Sequence, residues 1–134
     1  MRRVHYFMTA IGLLPLYCLS ATAAPDLDGA WASDASVCSK VFAKSNNKVT
    51  LTPDAELYGG GLIVEGKRAD GTFQNCKLKS AENDGTTLHL IAACSTGVMV
   101  SDVKVTVKVL GPNQIMVSPG GPVNVDTSYV RCYP

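Results

Sequence analysis

Past residue 24 the chain has no apolar run long enough to cross a membrane and no block of charge of one sign. A helix needs about 20 consecutive apolar residues to span hydrocarbon, so the 24–134 segment supplies no spanning helix. Without Arg2 and Arg3, ten basic residues face eleven acidic ones, all scattered. Nucleic acid and anionic membrane surfaces are bound through a concentrated basic field, and no nucleic acid, nor any membrane once the leader is removed, is expected as a partner. Histidine is almost missing: His89 is the only one outside the first 24 residues. No two cysteines stand at the C-x-x-C spacing that metal sites favour. No metal, no cofactor and no catalytic set are therefore expected. Internal repeats and low-complexity tracts are absent, and so is room for the crossover helices of a parallel sheet.

What is there begins with a leader. Arg2 and Arg3 give a positive start, Phe7 to Leu19 an uncharged and largely apolar run, and Ser20-Ala21-Thr22-Ala23-Ala24 the small residues of a cleavage site. The run is short for a membrane anchor and Pro15 interrupts it. Pro25 would sit badly just past a scissile bond, so the expected cut follows Ala23. That gives a signal peptide over 1–23 and one domain over 24–134, in the periplasm or secreted. Cys18 leaves with the leader.

Four cysteines remain: Cys38, Cys76, Cys94 and Cys132. An even count in a short exported chain reads as two disulfides. The strand pattern suggests which. Val103, Val105, Val107 and Val109 alternate with Lys104, Thr106 and Lys108, period 2 with one dry and one wet face. Further strands are expected at Lys48–Thr52, Leu62–Glu65, Thr72–Ser80, Thr86–Cys94, Gln114–Val117 and Thr127–Tyr133, with one helix over Ser33–Phe42 ended by Asn46-Asn47. About seven short strands with frequent turns imply a mostly β domain, a small antiparallel sandwich or barrel. Centring one hairpin on Gly85 sets Ser80 against Leu90, Leu78 against Ala92, and Cys76 against Cys94. Directly opposed residues are near enough for a bridge, which leaves Cys38 for Cys132. The other two pairings stay open at this point.

The succession Trp31, Cys38-Ser39-Lys40-Val41-Phe42, Glu56-Leu57-Tyr58-Gly59-Gly60-Gly61, Ile63-Val64-Glu65-Gly66, Cys76-Lys77-Leu78, Ile91-Ala92-Ala93-Cys94 and Tyr129-Val130-Arg131-Cys132 resembles a group of small exported proteins of unknown function from rhizobium-type alphaproteobacteria. The resemblance implies a Gram-negative periplasm and brings no activity with it. Separately, Asp28-Gly29-Ala30-Trp31 resembles the G-x-W near the start of the lipocalin fold.

Candidate site residues are few. Tyr58 beside Gly59, Gly60 and Gly61 is the segment to watch: an aromatic on a loop is a common contact residue. A phosphate-loop role is not expected, since a strand rather than a helix follows the glycines. Trp31 is expected to plug the base of the core. His89 should point outward, away from Leu88 and Leu90. Asp54, Glu56 and Glu65 could serve a hydrolase only if two of them flank a cleft.

Three functions follow. The leading one is a non-catalytic binding or inhibitory module with an unknown protein or small-molecule partner. The alternatives are a lipocalin-like carrier of a small apolar ligand and a carboxylate-dependent hydrolase. A pocket inside a barrel would favour the carrier, and a filled core with a protruding Tyr58 loop would favour the module.

Overall fold

The computed structural model describes residues 24–120 and 125–134. The leader and its cleavage after Ala23 fall on residues 1–23, outside the described residues.

Among the described residues ten strands form, in chain order β1 Gly29–Ala32, β2 Phe42–Ser45, β3 Lys48–Leu51, β4 Gly61–Glu65, β5 Arg68–Gly71, β6 Asn75–Asp84, β7 Thr87–Ser95, β8 Val100–Gly111, β9 Gln114–Pro119 and β10 Thr127–Cys132. Eight of them close an antiparallel barrel in the order β1-β10-β9-β8-β7-β6-β5-β4, with β4 pairing back onto β1. The domain is a closed barrel rather than a sandwich, so the sheet keeps no free edge.

The segment between β1 and β4 leaves the barrel and packs on its outside. A 3-10 turn, Ala35–Val37, is capped by the Asp34 carboxylate, which accepts from Ser36 N at 2.7 Å. One turn of α-helix, α1 Cys38–Val41, follows. Phe42 is already extended, so the predicted helix stops a residue early. Asn46 and Asn47 take positive φ and turn the β2–β3 hairpin rather than end a helix. Val41, Phe42 and Ala55 are buried against Ala30, Ala32 and Ile63 on the barrel's outer wall. The Cys38–Cys132 disulfide joins this outer layer to the last strand.

Inside, a second cluster is built on Trp31, Leu88, Val107 and Ile115. The alternation read in β8 holds: Val107 is buried and Val103, Val105 and Val109 half-buried, while Lys104 and Lys108 are exposed. Thr106 departs from the expectation, being half-buried beside His89. The β6–β7 hairpin sets Cys76 opposite Cys94 and Leu78 opposite Ala92, and the Cys76–Cys94 disulfide forms there. Past Leu78 the register slips by one, so Ser80 faces Ile91 and Ala81 faces Leu90. The extra residue at that bulge is what the uninterrupted register did not foresee.

Candidate functional site: the barrel interior

Period 2 fixes which residues look inward. From β4 these are Leu62 and Val64, from β7 Leu88, Leu90 and Ala92, from β8 Val105 and Val107, from β9 Ile115 and Val117. An eight-stranded barrel has an interior that side chains can just fill or that can hold one small ligand. Here the inward side chains on one side are small: Ala69 on β5, Ala81 on β6 and Ala92 on β7. The result is a cavity of about 370 Å³ with almost wholly apolar walls. Cys76 and Cys94 are part of its lining, so the hairpin disulfide is also a wall element.

One end of the cavity is walled by residues 24–28 and by the β4–β5 turn at Gly66 and Lys67. Leu27 packs against the inner cluster, and its carbonyl accepts from Trp31 Nε1 at 2.8 Å. Trp31 is 1% exposed, so the indole fills the base as the sequence suggested. Arg131 covers it, with its guanidinium carbon 4.3 Å from the ring centroid. That guanidinium donates to the carbonyls of Asp28, Asp26 (3.1 Å) and Pro112 (3.2 Å). The Asp28 carboxylate accepts from Gly66 N at 2.8 Å and ties the β4–β5 turn to the same base. Tyr129, also half-buried against the inner cluster, has its phenol pKa raised above the usual value by burial. Among the described residues no polar or charged residue is fully buried.

No family model, curated protein or solved structure matches this chain. Its function has to be argued from the interior just described.

The candidates read from sequence lie elsewhere. Tyr58 ends a second 3-10 turn, Ala55–Tyr58, outside the barrel. It is 37% exposed, and Lys40 Nζ sits 4.9 Å from its ring centroid. Gly59 and Gly60 adopt φ of 87° and 72°, a region that favours glycine. Gly61 starts β4 pressed against Phe42, Val41 and the Trp31 carbonyl. The glycines thus have structural reasons to be there, and none of these four residues lines the cavity. Asp54 and Glu56 precede β4 and Glu65 ends it, and a five-residue strand spans roughly 13 Å. None of the three reaches the barrel cavity. His89 points outward, with Nδ1 3.4 Å from Thr106 Oγ1. No group of three or more His, Cys, Asp or Glu side chains gathers at a metal-binding distance among the described residues.

The cavity walls themselves were missed as a site. Their signal was present as alternation, but alternation marks a face and not the space in front of it. Arg131 did carry a signal. It stands two residues from Tyr129 on the same strand, so period 2 turns both to one face.

Two disulfides are compatible with an oxidising environment. Among the described residues no helix is long and apolar enough to cross a membrane.

Proposed function

We propose that this protein is a carrier that holds one small apolar molecule inside its barrel, and that it works outside the cytoplasm, in a Gram-negative periplasm. The observation that supports this reading is the apolar cavity of about 370 Å³. Its size falls in the range of small-ligand sites, about 300–1,000 Å³.

Magnitudes favour an occupant. An apolar void costs about 24 cal/mol per Å³ when left empty. For this volume the penalty is at most on the order of 9 kcal/mol, the ceiling applying to a sealed cavity. A small domain has only about 5–15 kcal/mol of stability in total. Water relieves the penalty poorly, because a buried water needs two to four polar partners and the walls offer almost none. An apolar ligand relieves it well.

A binding module acting through Tyr58 is the weaker reading. Lys40 already stands by the tyrosine ring, and the three glycines serve the local backbone.

Native mass spectrometry of protein purified from the periplasm tests the carrier. The native mass should exceed the denatured mass by a small molecule of on the order of a few hundred daltons. Ala92→Phe, which fills the cavity, should lose that adduct and melt at a higher temperature. A native mass equal to the denatured one, with no uptake of an apolar fluorescent probe, would sink the proposal.

A further inference from the structure

The barrel has no free edge, but the β2–β3 hairpin packed on its outside has two. Its hydrogen-bond phase is fixed by the turn. Asn46 and Asn47, at φ 51° and 62°, form a two-residue turn that makes Ser45 and Lys48 a hydrogen-bonded pair. Bonded and non-bonded pairs then alternate along the hairpin. Thr52 N, which donates to Val41 O at 2.9 Å, confirms the count. Phe42 with Leu51, and Lys44 with Val49, are therefore the non-bonded pairs. Their backbone N–H and C=O groups point away from the partner strand.

The two edges differ. On β2, Phe42 N is spent on Cys38 O, which leaves Lys44 alone with both groups free. On β3, both Val49 and Leu51 keep an N–H and a C=O with no hydrogen-bond partner among the described residues. They stand two residues apart, about 7 Å, the repeat at which an added strand presents its own bonding groups. The edge of β3 also borders a groove of about 420 Å³, between residues 47–49 and the outer wall of β1 and β4. Ile63 supplies an apolar patch in that wall. Lys48 stands on the near side, with no carboxylate within ion-pair distance among the described residues. Glu65 and Asp28 stand across the groove, the Asp28 carboxylate accepting from Gly66 N.

We propose that the free edge of β3 binds an extended peptide segment of a partner protein by antiparallel strand addition. The backbone decides the class of partner: donors and acceptors in line at the strand repeat are what another extended main chain pairs with. Charge then sets the sequence preference. Residues 35–53 carry Lys40, Lys44 and Lys48 and no Asp or Glu. Lysines on a short edge discourage indiscriminate pairing, so the occupant has to bring a matching acid opposite Lys48. Period 2 puts alternate side chains of that occupant on the Ile63 wall, where apolar residues fit. Glu65 across the groove disfavours a continuous acidic run. A second copy fits worse, because its own β3 borders the same groove on its own barrel. The site lies outside the lumen and is independent of the carrier reading.

The probe is the acetylated and amidated peptide Thr-Val-Thr-Val-Glu, which sets its valines opposite Leu51 and Val49 and its glutamate opposite Lys48. It is titrated into protein purified from the periplasm, with amide hydrogen exchange read residue by residue. Exchange at the Val49 and Leu51 N–H groups should slow several-fold, and exchange at Lys44 should not change. N-methylation of one peptide valine removes a main-chain donor and should weaken binding about tenfold. Lys48→Glu, at an exposed position, should weaken the glutamate peptide about threefold and favour Thr-Val-Thr-Val-Lys instead. Absence of binding at millimolar peptide, or indifference to N-methylation, overturns strand addition. So does protection at Lys44 in place of Val49 and Leu51. Displacement of the peptide by an apolar probe puts it in the lumen and overturns the site. A dimer in sedimentation velocity, with Val49 and Leu51 protected before any peptide is added, assigns the edge to a second copy and equally overturns it. A preference that Lys48→Glu fails to reverse overturns the acidic match.

Discussion

The Arg131 guanidinium lies over the Trp31 indole, and the same group donates to carbonyls of Asp26, Asp28 and Pro112. One side chain thus ties the entering segment, the β8–β9 turn and the plug of the barrel together. Arg131→Lys keeps the charge but loses the planar fork that makes these bonds at once. It should cost about 2 kcal/mol, read as a lower denaturant midpoint with unchanged slope. A midpoint equal to wild type would mean that the arginine is ornamental at this base.

The two disulfides should differ in weight. Cys38–Cys132 spans 94 residues and Cys76–Cys94 spans 18. In the chain-entropy account the longer loop contributes about 4–5 kcal/mol and the shorter about 3. Cys38→Ala/Cys132→Ala should therefore unfold at lower denaturant than Cys76→Ala/Cys94→Ala. The reverse order would show that the hairpin bridge matters through the wall of the cavity more than through loop closure.

Gly61 tests whether the glycine run is structural. A Cβ there would meet Phe42 Cζ at 2.7 Å, Val41 Cγ1 at 2.8 Å and the Trp31 carbonyl at 2.9 Å. The carbonyl is backbone within a strand pair and cannot swing aside. Gly61→Ala should cost about 1–3 kcal/mol, while Gly111→Ala, with open space around it, should change little. Thermal melts of the two variants decide it.

Tyr129 sets an alkaline limit. Burial raises its pKa above 10.0. The unfolded chain therefore releases the phenolic proton first as pH rises. The stabilisation is complete below the unfolded value of about 10 and is lost as pH climbs through the higher folded value. Tyr129→Phe should flatten this loss, so that the wild-type and variant midpoints converge or cross between neutral and strongly alkaline pH. Parallel curves would exclude the tyrosine as the cause.

Legibility in the sequence followed the strength of local pattern. β8 could be read because four valines alternate with polar residues over one long strand. Cys76 and Cys94 could be paired because a Gly85 turn and two apolar arms fixed the register as far as Leu78. β5 is not among the expected strands, since Arg68-Ala69-Asp70-Gly71 has no β-branched or aromatic residue and is held by its neighbours β4 and β6 instead. Phe42, the first residue of β2, was absorbed into the expected helix because it continues the apolar face of Val41, although the backbone there has already become extended. The cavity depends on how the small residues Ala69, Ala81 and Ala92 come to lie on one side of the lumen, and that is a property of barrel closure.

Barrel closure also has an order in time. β1 pairs with β4 on one side and with β10 on the other, and β10 runs Thr127–Cys132, about a hundred residues after β1. A chain made from its N-terminus offers β1 long before its second partner exists. Until then β1 and β9 are bare sheet edges, open to strand addition by another molecule. Joining them closes the most distant contact in the domain, the kind that slows folding most. The vulnerable period of this protein is therefore the interval before its last six-residue strand is delivered, and a nascent chain cut short of Thr127 should aggregate through those two edges.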